Sequence, residues 1–215
     1  MIVTHNGTTT TYAFTAGEAR AMLAFAGKDA TRQGLCGIAL HDAGTYATAT
    51  DGHRALALCP ASVSGERTAP EASRVVPRAT VERAVKAAGK GGTVAVTANC
   101  ATFDVVAFDA SGAAALAIEG QQNDAQAPAV YDAYASVLAE ADGRAPCSRV
   151  AFNSRYLADV EACAAAYAVT SKHVGWGVAL YPPHDDASPL RFDVADCGNP
   201  HDGPRMFGLI MPMRI

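Results

Sequence analysis

No apolar run in this 215-residue chain approaches the roughly 20 residues that a membrane-spanning helix needs. A helical anchor is thereby excluded and a soluble protein is expected. Residues 1–12 are polar and threonine-rich, without the basic-then-apolar order of an export signal. None of the six cysteines belongs to a Cys-x-x-Cys pair, and no two candidate ligands lie close enough in sequence to nucleate a zinc site. Neither a metal nor a cofactor is expected. Cys36, Cys59, Cys100, Cys147, Cys163 and Cys197 are scattered, several of them inside apolar runs. They read as reduced, mostly structural thiols of a cytoplasmic protein. Basic charge is not in excess either. A net charge of −4 argues against tight, sequence-blind nucleic-acid binding over the whole surface, though not against a local basic face.

What is present is a chain that is 50% apolar and long enough for one large or two small domains with a real core. Residues 12–15 read as a short strand. Thr15 then caps a helix over 17–27, with Glu18 completing a capping box. Leu23 and Phe25 supply its apolar surface, Arg20 and Lys28 its solvent side. Strands follow at 35–40, 45–50 and 54–59, the first two joined by a hairpin turn at 41–44. This is a β-α-β-β-β unit. A loop at 60–73, bearing proline, serine and charge, leads to a second unit of the same order. Its strand at 74–77 precedes a helix over 79–88, which the glycines of 89–92 stop, and strands at 93–97, 102–108 and 113–119. Residues 121–146 form a polar boundary segment with Tyr131 and Tyr134 as its large anchors. A third unit then reads as strand 149–152, helix 154–167 and strands 174–181, 190–194 and 206–213. The expected class is α+β, with a complete domain over 1–125, a connector over 126–146 and a half-domain over 147–215.

Two stretches carry most of the chemistry. In Ala49-Thr50-Asp51-Gly52-His53-Arg54 a tight Asp-Gly turn separates a β-branched strand from an apolar one, so His53 and Arg54 emerge from the turn. At the other end, Met211-Pro212-Met213 joins adaptable, polarizable side chains to a proline that favours an edge strand. That composition suits an apolar groove for an extended peptide with a Leu or Phe anchor. Taken alone, it equally describes ordinary core or edge packing. His53 with Asp51 as orienter would suggest a general base. Neighbours across a turn rarely reach that geometry, and no serine or cysteine nucleophile stands nearby, so no catalytic residue and no enzyme activity are expected. His184-Asp185-Asp186 and His201-Asp202 read as solvated loop residues, not metal ligands.

Thr50-Asp51-Gly52-His53-Arg54 resembles the signature of the bacterial β sliding clamp family, the DNA polymerase III beta subunit, a ring-shaped processivity factor of DNA replication. Met211-Pro212-Met213-Arg214-Ile215 resembles that family's closing Met-Pro-Met-Arg-Leu. Further similar stretches follow in family order: Leu35-Cys36-Gly37, Val76-Pro77-Arg78, residues 131–138, and Phe152-Asn153-Ser154-Arg155-Tyr156-Leu157. The resemblance implies a DNA-clamp fold made of the family's middle domain and the second half of its last, without the first domain and the first half of the third. It also implies a peptide-binding pocket with two walls. Leu35, Thr50, Gly52, His53, Arg54 and Ala55 match one; Val137, Leu209, Met211, Pro212, Met213, Arg214 and Ile215 match the other. Asp132 and Ser136 replace a proline and an arginine, an exchange expected to alter affinity or partner preference.

Arg20, Lys28, Arg32, Arg78, Arg83, Lys86 and Lys90 lie on or beside helices that in the family line a channel and touch DNA phosphates without reading sequence. A solvated helix face accounts for them equally. The implied partners are clamp-interaction peptides of DNA polymerase or repair proteins, with non-specific duplex DNA as a second and no membrane. The missing pieces are those that close the family's ring. A half-domain leaves one helix face without its usual partner, so two chains are expected to pair as a homodimer through their C-terminal half-domains, burying that face of the 158–167 helix at a twofold axis. Two rivals stay open: a DNA-encircling processivity factor with a different subunit number, and a clamp-fold structural protein with an inactive pocket.

Overall fold

A computed structural model of the chain describes residues 1–29, 31–41, 46–68, 74–99, 102–122, 152–168, 176–181, 183, 188–196 and 206–212. Strands β1 (Ile2–Asn6) and β2 (Thr9–Thr15) form an antiparallel hairpin. Only residues 12–15 of it were expected as strand. The inward positions of β2 are Thr10, Tyr12 and Phe14, and threonine at the first of them disguises the period of two. Helix α1 (Ala16–Phe25) starts at the expected cap: Glu18 N donates to Thr15 Oγ1 at 3.2 Å and Thr15 N donates to Glu18 Oε2 at 2.8 Å. Small alanines let α1 be buried nearly all round, between the strands beneath it, α2 (Arg78–Ala88) and α3 (Ser154–Ala168).

The remaining strands are β3 (Gly37–Leu40), β4 (Ala47–Thr50), β5 (Arg54–Leu58), β6 (Ser62–Ser64), β7 (Arg74–Pro77), β8 (Thr93–Ala98), β9 (Thr102–Phe108), β10 (Ala114–Gln122), β11 (Trp176–Tyr181), β12 (Leu190–Asp196) and β13 (Met206–Ile210). β6 lies in the stretch expected to be loop. It is a three-residue exposed strand parallel to β1, too short for its sequence to show a period. One sheet runs β10-β9-β8-β2-β1-β6 and the other β11-β12-β13-β5-β4-β3-β7. The first two units exchange their leading strands, since β2 pairs with β8 and β7 with β3. Neither unit can leave without breaking both sheets. The fold is thus α+β, with two sheets and three α-helices among the described residues.

The third unit docks by continuing a sheet. β13 pairs antiparallel with β5, setting Leu209 opposite Ala55 and Ile210 opposite Arg54. Above that seam, Val160, Cys163 and Ala164 of α3 enter the same core as Phe25 and Phe192, whose rings lie 5.7 Å apart. This α3 face, expected to await a second chain, is covered by α1 of its own chain. The apolar side chains left exposed on α3 include Leu157, Ala158 and Ala162, beside Leu180 and Tyr181 at the end of β11. The connector and the expected strand at 149–152, apart from Phe152, lie outside the described residues.

Cys163 is fully buried with its Sγ 3.1 Å from Met206 Sδ, and burial pushes its thiol up to about 12 from 9.0. A folded-state value above the unfolded one means that the contribution of this thiol to stability is whole below pH 9.0 and is lost as the pH climbs from there toward about 12. Cys36 and Cys59 are free and partly exposed, and burial also raises the Cys59 thiol. Among the three described cysteines, alkylation of the native protein followed by mass spectrometry should label Cys36 first and Cys59 more slowly, with Cys163 reacting only on unfolding.

Candidate functional site

The β4–β5 turn is locked by its own short side chains. Gly52 adopts φ +92°, a conformation that L side chains rarely take. Thr50 Oγ1 accepts from Gly52 N at 3.0 Å and donates to Arg54 O at 2.7 Å. Asp51 Oδ1 accepts the backbone N–H groups of His53 (3.0 Å) and Arg54 (3.2 Å), and its Oδ2 pairs with Arg54 Nε at 3.0 Å. Asp51 therefore holds the turn, and not the His53 ring, which is not the arrangement of a base and its orienter.

The chain's other informative stretch meets this turn directly. One step beyond β13, Met211 N donates to His53 O at 2.9 Å, prolonging the β5–β13 ladder to the tip of the turn. Thr50, Arg54, Ala55 and Leu209 are buried and form the frame. The accessible surface comes from exposed His53 and from Leu35, Gly52, Met211 and Pro212, each half-buried. Leu35 Cδ1 lies 3.7 Å from where a Cβ on Gly52 would stand. Val137, Met213, Arg214 and Ile215, like Asp132, Ser136, His184, Asp185, Asp186, His201 and Asp202, lie outside the described residues. Among the described residues no group of His, Cys, Asp or Glu could hold a metal ion.

Tyr156 joins the site without having been assigned to it from sequence. Its ring stacks with that of His53, centroids 6.5 Å apart and planes at 17°. An aromatic in the first turn of a helix carries no signal of its own; α3 reaches the turn through the β5–β13 pairing and its packing against α1. Asp159, one turn further along α3, reaches Arg54.

A cleft of about 560 Å³ opens on the helix side, between α1 and the starts of α2 and α3; Arg20, Lys28, Arg54, Arg78, Tyr156 and Asp159 are among its lining residues. The basic positions differ in availability. Arg78 donates to Leu23 O (2.7 Å) and Ala26 O (2.8 Å) at the C-terminus of α1 and pairs with Glu82 at 2.7 Å, so it acts as a helix cap. Arg20 donates to Gly89 O at 2.9 Å. Lys28 and Arg32 are exposed. So are Arg83, Lys86 and Lys90, whose spacing puts them along one side of α2 and its exit.

No protein-family model and no curated protein matches the sequence. Solved structures do match the fold. The DNA polymerase III beta subunit of Thermotoga maritima superposes with a TM-score of 0.58 at 14% identity, over 100% of this chain and 68% of that one. A DNA polymerase sliding clamp from Pseudomonas aeruginosa, solved with a ligand, gives 0.58 at 15% identity over 98% of this chain and 68% of its own. Caulobacter crescentus pol III beta gives 0.53 at 20% identity over 98% and 68%. The chain has, along its whole length, the fold of the DNA polymerase III beta sliding clamps, of which it spans about two thirds.

Proposed function

We propose that this chain is a sliding-clamp-like binding protein of DNA replication or repair, which receives an extended, Leu/Phe-anchored peptide of a partner protein. The groove lies between the 51–53 turn and the end of β13, and the chain binds without catalysing. The observation that carries this reading is the Met211–His53 backbone bond, which brings Leu35, His53, Met211 and Pro212 to one apolar edge. Val137, Met213, Arg214 and Ile215 complete the groove in this reading, with 1–125 as a complete clamp-like domain and 147–215 as a half-domain. A fluorescein-labelled peptide carrying a Leu-Phe anchor should bind saturably, and its Ala-Ala counterpart should not. Equal anisotropy curves for the two peptides would end the proposal.

Exposed Arg83, Lys86 and Lys90 favour a second role for the helix side, contact with the phosphates of duplex DNA. Affinity for duplex should fall steeply with salt, and triple replacement by glutamine should flatten that slope. Exposed Leu157, Leu180 and Tyr181 are the proposed contact with a second copy. Light scattering on the full chain at micromolar concentration should give twice the chain mass; a strict monomer removes the homodimer.

A further inference from the structure

The family resemblance implies that Arg54 lies on the wall of the peptide groove, yet its guanidinium is spent inside the molecule. It begins β5 and is only 8% exposed. Nε donates to Asp51 Oδ2 at 3.0 Å, Nη2 to Ala24 O at 2.8 Å near the C-terminus of α1, and Nη1 to Asp159 Oδ2 on α3. Its Cζ stands 5.0 Å from the centroid of Phe25 and 5.0 Å from that of Tyr156, between two aromatic rings. All three nitrogens and the cation's flanks are therefore occupied by the turn, α1 and α3.

We infer that Arg54 is a positioning residue: with Asp159 it forms a clasp that fixes the first turns of α3, and with them the Tyr156 ring against His53, without touching the bound peptide. This rests on the peptide-groove reading above. Tyr156 and Asp159 are three apart on one helix face, so holding one carboxylate sets the ring beside it. The β5–β13 ladder holds the sheet side of the third unit, and the clasp holds the start of its helix.

The test uses the full chain, with the labelled Leu-Phe peptide and the NMR signals of the His53 ring. Asp159→Asn and Arg54→Gln should each weaken the peptide by about tenfold, and the double variant by no more than either. Arg54→Lys, which keeps the charge but not the fork, should not restore binding. In every variant the His53 ring protons should lose the shift that the Tyr156 ring imposes, while the methyl signals of Val94 and Val105 in the other sheet stay put. Wild-type affinity in Asp159→Asn, or additive losses in the double variant, would mean that Arg54 contacts the peptide itself and would overturn the inference. Should the wild type bind no peptide, the groove reading fails by itself. The His53 signals then decide the clasp: moved in Asp159→Asn they support it, unmoved they refute it. If Arg54→Gln does not fold, Asp159→Asn carries both readouts.

Discussion

Gly208→Ala is expected to lower the unfolding midpoint by about 6–10 °C, following a loss of about 3 kcal/mol at the upper end of what overpacking costs. Gly208 lies in β13 opposite Leu56, on the seam that joins the third unit to the first. A Cβ there would stand 2.3 Å from Ala55 O and 2.5 Å from Phe192 Cζ. The carbonyl cannot retreat without opening the ladder that sets Leu209 opposite Ala55. The Phe192 ring is fully buried against Phe25 and has nowhere to turn. Relief must come from moving β13 away from β5, which would also part Met211 from His53. Thermal unfolding by circular dichroism and the peptide titration should therefore fail together. A melting curve identical to wild type would show that β13 does not press on β5 as described.

The double variant His53→Ala/Met211→Ala is expected to weaken the Leu-Phe peptide by about a hundredfold while leaving the fold intact. Both side chains are at least partly exposed, and the bond between the two residues runs through backbone atoms that alanine retains. Stability should change by no more than about 1 kcal/mol, as for other surface substitutions. His53 offers a flat ring backed by Tyr156 and Met211 an adaptable thioether, so removing both should strip the proposed groove of its shape on each side. Loss of binding with an unchanged melting curve is the expected pair of results. Undiminished binding would show that the peptide sits elsewhere. Truncating buried Arg54, by contrast, should disturb binding and stability at once, because Asp159 loses its cation and Asp51 keeps only its two backbone N–H donors.

Much of the architecture was legible because it depends on near neighbours. Arg74–Pro77 and Thr102–Phe108 appear where their β-branched and alternating residues put them, and the Thr15–Glu18 capping box opens α1 as expected. β1 and β6 were not legible. Ile2–Asn6 spends most of its side chains on exposed or half-buried positions, and Ser62–Ser64 is held as a strand only by its parallel partner. Nor does anything local distinguish the Arg78 that caps α1 from the exposed Arg83 five residues later.

The amino-acid order by itself determined the turn at 51–54, the helix start at Thr15 and the pairing of an Asp-Gly-His-Arg signature with a Met-Pro-Met stretch in one chain. The turn and the helix start depend on groups a few bonds apart, where sterics and short-range hydrogen bonding suffice, and the pairing of the two stretches is read from the residue order alone. Tertiary structure alone decided which of those residues face outward. The β5–β13 seam spans some 150 positions of chain; it turned Thr50, Arg54, Ala55 and Leu209 inward, left His53 and Met211 at the surface, and supplied Tyr156 and Asp159 from a helix no local pattern connects to them. Burial is set by what packs on top, and that partner lay at the far end of the sequence.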